Sequence, residues 1–191
     1  MDGHSLRVLR AEDVAGLRAE ARRAAQEGME AVLLGEGPLG DPFVLLAALS
    51  DDVPGLLLGA QVILGTGTDG KRRHPALLAR EATSLDLVCG GRTLLCFAPP
   101  FGDGLEEAIG LCRAMWRDGT ATSEGPVYPV AGALNRPRPA REDSPLLALD
   151  LTEPGARDEA GGRAALADMV VVSGEEGEGS GSVCRLERVR A

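Results

Sequence analysis

Apolar residues in this chain fall into short unbroken runs, and amphipathic stretches separate one run from the next. Ser5 to Arg10 reads as a short strand. Ala11 to Gly28 then places Val14, Leu17, Ala21, Ala24 and Ala25 at helical spacing before a glycine stop. The unit recurs. Met29 to Leu34 is a strand of the buried type, Asp41 to Ser50 a helix opened by Asp-Pro, and Leu56 to Leu64 an apolar strand. His74 to Val88 is the next helix, with Pro75 in its first turn and Gly90 and Gly91 beyond its end, and Thr93 to Ala98 is the strand after it.

In Leu105 to Trp116 one stripe carries Leu105, Ala108, Ile109, Cys112, Met115 and Trp116, while Glu106, Glu107, Arg113 and Arg117 stay on the wet side. Thr120 to Ala140 is broken by Gly and Pro and reads as an irregular excursion with a short hairpin. Leu146 to Leu151 and Met169 to Val172 are two more strands with a helix, Arg157 to Ala167, between them, and Val183 to Val189 is a last strand. Strands that are apolar throughout, alternating with helices, belong to a parallel sheet covered by helices, either a closed α/β barrel or an open wound sheet.

Three runs, taken in order, narrow this choice: DPFVLLAAL from Asp41, RHPALLAREATSLDLVCGGR from Arg73, and LEEAIGLCRAMWRDGTATSEGPVYPVAGALNRPRP from Leu105, followed by PLLALDL from Pro145. Together they resemble the bacterial luciferase-like family of flavin- and deazaflavin-dependent oxidoreductases over roughly Ala11 to Val172. The resemblance implies a (β/α)8 barrel with its functional groups on the loops after the strands. Such a barrel usually takes ~250 residues, and this chain has 191 with seven strand starts. The expected fold is therefore α/β, an incomplete TIM-type (β/α) barrel of about seven strands. Residues 1–173 would form the barrel, 174–182 a flexible Gly/Glu/Ser linker, and 183–191 a C-terminal strand. An incomplete barrel leaves strand edges to be covered by the tail, by a partner or by irregular closure. The resemblance implies dimerisation through the helices at Asp41 to Ser50 and His74 to Val88, as a homodimer or as a heterodimer with a longer homologue.

Charge and composition remove other classes. A formal net charge of −9 argues against a nucleic-acid surface, which needs clustered cations, and the short run Lys71, Arg72, Arg73 reads as a solvated loop. No segment approaches the ~20 apolar residues of a membrane span and the first ten residues are no signal peptide, so a cytoplasmic protein without membrane partners is expected. Cys89, Cys96, Cys112 and Cys184 show no paired short spacing, so they read as buried reduced thiols and no metal site is expected.

Candidate chemistry lies at the strand ends. Where the family has an acidic residue followed by His after the second strand, this chain has Glu36 and Gly37; Glu36 is the candidate catalytic acid, and the imidazole is absent. His74 matches the family's His-Pro and reads as helix entry. The turn after the fourth strand is Ala98, Pro99, Pro100, Phe101, where two prolines remove backbone donors. Cys96, Asp150 and Thr152 are the candidate cofactor-binding residues: Cys96 near a strand end, although core packing is its commoner role, Asp150 at a strand end, and Thr152 as a helix cap able to hold a phosphate. Glu153, Asp158 and Glu159 add negative charge at that cap. The family implies FMN or coenzyme F420; with these departures, neither is expected to bind tightly. The functional expectation is a shortened, dimeric luciferase-like relative, non-catalytic or weakly flavin-binding, or a companion subunit of a flavin-dependent monooxygenase. The alternative is a compact active flavin- or deazaflavin-dependent oxidoreductase.

Overall fold

The computed structural model describes residues 3–64, 73–174 and 183–189. The expected linker falls almost wholly on residues 175–182, and Lys71 and Arg72 on 65–72, all outside the described residues.

The helices begin and end where local chemistry dictates. Helix α1 (Val14–Gln26) is capped by the Asp13 carboxylate, which accepts from the Gly16 amide, and α2 (Pro42–Leu49) by Asp41, which accepts from Phe43 and Val44. In α3 (Pro75–Cys89) the cap is a ring nitrogen of His74, so this histidine marks the helix entry. Helices α3 and α4 (Leu105–Asp118) both stop at a glycine in the left-handed region, Gly90 and Gly119, where a side chain would strain the backbone.

Strands β1 (Gly3–Val8), β2 (Ala31–Gly35), β3 (Leu57–Ile63) and β4 (Thr93–Ala98) are followed by the hairpin of β5 (Thr120–Ser123) and β6 (Val130–Leu134), then by β7 (Leu146–Asp150), β8 (Met169–Ser173) and β9 (Val183–Arg188). Seven of them form a closed barrel in the order β1-β2-β3-β4-β7-β8-β9. Neighbours are parallel from β1 through β8. The last strand, β9, is antiparallel to both β8 and β1, with Val171 opposite Leu186 and Leu6 opposite Cys184. Of the three expected ways to cover the strand edges, the tail is the one used: β9 fills the gap with a full ladder on each side, and an antiparallel strand needs no crossover helix to reach it.

One expected helix is shorter than its pattern suggested. Arg157 to Ala167 is a brief α5 (Ala156–Ala160) followed by a 3-10 helix (Gly161–Leu166). Gly161 takes φ +53°, which ends the α-helix there.

Two cores result. One lies between the barrel and its helices, where Trp116 is buried and its indole N–H donates to the Ala79 carbonyl at 3.0 Å. The other fills the barrel itself with Leu6, Leu33, Leu94, Cys96, Met169, Val171 and Leu186 among others. Gly59 makes this inner packing fit. It lies between Leu33 and Leu94 in register, and a Cβ there would meet Leu33 Cδ1 at 2.7 Å. Among the described residues no helix is long and apolar enough to cross a membrane.

Candidate functional site

The C-terminal ends of the parallel strands open on one rim, where β2 delivers Gly35 and Glu36, β3 delivers Gln61, and β7 delivers Asp150. Gln61 is the polar residue in the apolar strand LLGAQVI. Its amide lies across Gly35, where a Cβ would come within 2.9 Å of the Gln61 oxygen, and its Nε2 donates to Asp150 Oδ2 at 2.5 Å. The other Asp150 oxygen accepts from the Thr152 amide at 2.9 Å and the Thr152 hydroxyl at 2.7 Å. Asp150 is buried and satisfied on both oxygens. This amide–carboxylate pair roofs the apolar barrel interior.

Cys96, in register beside Gln61, has no exposed surface. Burial first, and the Asp150 charge second, push its thiol well above the ordinary range; Cys184 is raised for the same two reasons. Both remain protonated thiols at neutral pH, without nucleophilic character.

Glu36 lines a cavity of about 300 Å³ at the rim, together with Arg10, Gly37, Leu39, Leu45 and Gln61. Its carboxylate is held by Arg73, whose Nη1 donates to Glu36 at 2.8 Å while Nη2 donates to Asp41 and Glu81, each at 2.8 Å. The guanidinium also stands 5.8 Å from the centre of the Phe43 ring. Burial works against the charge on Arg73, and the attraction of Glu81, Asp41 and Glu36 outweighs it and raises its pKa. Burial raises the Glu81 carboxyl above its ordinary value despite the guanidinium. Arg73 is thus committed to three carboxylates.

Anion donors on the β4–α4 turn are likewise taken. The backbone N–H groups of Phe101 and Gly102 point at one oxygen of Glu159, at 2.7 and 3.3 Å, and Arg163 donates to the Gly102 carbonyl at 2.8 Å, which ties the same turn to the α5 segment.

The four candidate residues therefore do not converge. Only Glu36 borders the rim cavity; Cys96 faces the inner core, and Asp150 and Thr152 bond to each other. Thr152 is also not the helix cap it was expected to be. The nearby Asp150 carboxylate draws both of its donors, and α5 starts later, at Gly155, with no side-chain cap. Gln61 and Arg73 were missed. The signal for Gln61 was a lone amide in an apolar strand; Arg73 was hidden in a basic run that reads as a wet loop. Among the described residues no group of three His, Cys, Asp or Glu side chains is arranged to hold a metal.

Flavin mononucleotide and the deazaflavin cofactor each need a seat for phosphate. Among the described residues three sets of donors at this rim are already engaged and do not offer one: the amides of Phe101 and Gly102 are on Glu159, the donors of Thr152 are on Asp150, and the Arg73 guanidinium is shared among carboxylates. A phosphate about 4 Å from Glu159 would meet a repulsion of ~4 kcal/mol per unit charge at the effective dielectric of a protein surface.

Residues 2–99 match the sequence profile of the family described as luciferase-like monooxygenase. Comparison with curated proteins finds no match. Among solved structures, the chain is similar to a coenzyme F420-dependent tetrahydromethanopterin reductase from Methanopyrus kandleri, with TM-score 0.74, 16% identity, and coverage of 91% of this chain and 56% of that one. It is similar to an EDTA monooxygenase from Chelativorans sp. BNC1, with TM-score 0.61, 20% identity and coverage of 82% and 46%. A third is the oxygenating constituent of 3,6-diketocamphane monooxygenase from Pseudomonas putida, in complex with FMN, with TM-score 0.55, 16% identity and coverage of 76% and 49%. The chain spans about half the length of these structures.

Proposed function

The chain belongs to the luciferase-like monooxygenase family, and on that premise we propose that it is a reduced, dimeric relative that binds flavin weakly or not at all and serves beside a longer flavin-dependent homologue or as its own homodimer. The observation that carries this reading is the Glu159 carboxylate on the Phe101 and Gly102 amides. A protein-borne anion occupies backbone donors of the β4–α4 turn, and the buried Asp150 is bonded to Gln61 and Thr152. No reaction step is assigned to the rim.

Dimerisation is supported by the outer faces of α2 and α3. Val44, Leu77 and Val88 are 68%, 51% and 59% exposed there, and the two helices pack side by side, so their outward apolar residues form one surface suited to a second helical pair.

Calorimetric titration with flavin mononucleotide and with the deazaflavin, followed by anaerobic mixing of the reduced cofactors with oxygen, tests the reading. Expected are affinities weaker than roughly 100 μM and reoxidation no faster than without protein. Low-micromolar affinity with protein-dependent reoxidation, lost in Glu36→Ala or Thr152→Ala but kept in Arg23→Ala, would establish the compact enzyme instead. Light scattering of the wild type against Val44→Glu/Val88→Glu tests the dimer: the variant should halve the mass, and a wild-type monomer with no co-purifying homologue would count against it.

A further inference from the structure

At the opposite end of the barrel, under the N-terminal ends of β7 and β8, lies a cavity of about 910 Å³. Five arginines line it: Arg113 and Arg117 from α4, Arg138 and Arg141 from the loop before β7, and Arg188 from β9. Among the described residues only three carboxylates do so, Glu142, Asp143 and Asp168. In a chain of net charge −9 this is a local reversal of sign.

The arginines are placed by the fold. The stem of Arg141 lies across Gly91, where a Cβ would come within 2.6–2.8 Å of Arg141 Nε, Cδ and Cγ, and that of Arg138 lies across Gly119, where a Cβ would be 3.3 Å from Arg138 Cδ and Nη1. Both glycines have positive φ, following the ends of α3 and α4. The loop carrying Arg138 and Arg141 is anchored on the buried Asp86, whose Oδ2 accepts from the Ala140 amide at 2.8 Å and the Ser144 hydroxyl at 2.7 Å. Arg113 is paired with Asp168 at 2.8 Å and Arg117 with Asp118 at 2.7 Å, while Arg138 donates to the Arg117 carbonyl. Among the described residues the guanidinium groups of Arg141 and Arg188 have no hydrogen-bond or ion-pair partner. Like charges gathered around a cleft repel one another, and a ligand carrying several negative charges relieves that repulsion. The planar guanidinium fork matches phosphate and carboxylate oxygens.

We propose that this cavity is a binding site for a small multivalent anion, a compound bearing two or more phosphate or carboxylate groups. It is independent of the rim: Glu36, Asp150 and Glu159 take no part in it.

The test is calorimetric titration of the whole protein with inorganic triphosphate and with citrate at fixed ionic strength. Saturable one-to-one binding of at least one of them is expected, weakened roughly tenfold or more in Arg141→Ala/Arg188→Ala and unchanged in Arg23→Ala. Binding of triphosphate alone assigns the site to phosphate compounds, and of citrate alone to carboxylates. Because both replaced side chains are exposed, the double variant should keep the wild-type melting curve. No saturable binding of either anion, or binding that survives the double substitution in folded protein, overturns the assignment. Flavin titrations repeated under saturating triphosphate separate the two ends of the barrel: affinity that persists belongs to the rim.

Discussion

Replacing Gly59 by alanine adds one methyl group to the inner packing of the barrel, and its cost follows from the surroundings. The new Cβ would stand 2.7 Å from Leu33 Cδ1, 3.0 Å from the Val32 carbonyl oxygen and 3.4 Å from Leu94 Cδ2. The carbonyl belongs to β2, which is paired on both sides within the sheet, and cannot retreat. Relief must come from Leu33, which has no exposed surface and is itself wedged in the core. Overpacking of this kind costs ~1–3 kcal/mol, while the lower chain entropy of alanine in a strand returns ~0.5–1 kcal/mol. The net loss of stability lies between ~0 and ~2.5 kcal/mol, centred near ~1 kcal/mol. For a chain of this size each kcal/mol moves the melting temperature by ~2–4 °C, so Gly59→Ala should melt about 2–4 °C below wild type by circular dichroism. Shortening the side chain it meets should recover part of the loss, so Gly59→Ala/Leu33→Val should be less damaged than the sum of the two single variants. A Gly59→Ala protein that melts at or above the wild type, or a double variant whose losses simply add, would refute the close packing of Gly59 against Leu33.

Two further outcomes follow from the ladder and the charges. Truncation at Gly174 removes β9 and unpairs β1 and β8 at once, so the product should aggregate where the full chain does not, and unchanged sedimentation and melting would refute the closure. Asp52 is held below its ordinary carboxylate range, by the hydrogen bond from Arg22 foremost and by Arg18. A lowered folded-state pKa gives stability that is present above the unfolded value near 4 and is lost as pH falls through the folded value. Asp52→Asn should therefore flatten the acid limb of a melting-temperature profile below pH 4 relative to wild type, and identical acid limbs would refute the linkage.

Much of this fold is legible in the sequence because strands buried on both faces cannot hide: AVLLG, LLGAQVI and TLLCFA are apolar wherever they lie between inner and outer cores. Helix limits were readable from Asp41, His74 and Gly90, each of which satisfies or ends a helix by its own chemistry. The role of β9 was less open. Cys184 and Leu186 are buried while Arg185 is exposed and Glu187 half-buried, the alternation of a strand with one wet face, but nothing local says which edge such a strand will join, and here it joins two. The rim was legible only by position. Glu36 was found from the family's acidic position after the second strand, and Asp150 because it ends a strand. Their states are set by Arg73 and Gln61, partners 37 and 89 residues away in sequence, and contacts of that range leave no trace in local pattern.

The closure by β9 and the self-pairing of the rim belong to one physical problem. A polar group at the end of a barrel strand is partly desolvated, and left without a partner it costs ~1–3 kcal/mol. A bound cofactor can supply that partner; without one, the protein must. Here Asp150 takes both donors of Thr152 and the amide of Gln61, Arg73 gathers Glu36, Asp41 and Glu81, and Glu159 takes the amides of Phe101 and Gly102. Each pairing removes a debt that would otherwise weaken a seven-strand barrel, and each also raises the barrier to a ligand, which must break a bond before it makes one. On the proposed function, stability without cofactor and weak affinity for cofactor have the same cause, so Gln61→Leu should lower the melting temperature by leaving one Asp150 oxygen unpaired without raising flavin affinity, because the amides of Phe101 and Gly102 stay on Glu159.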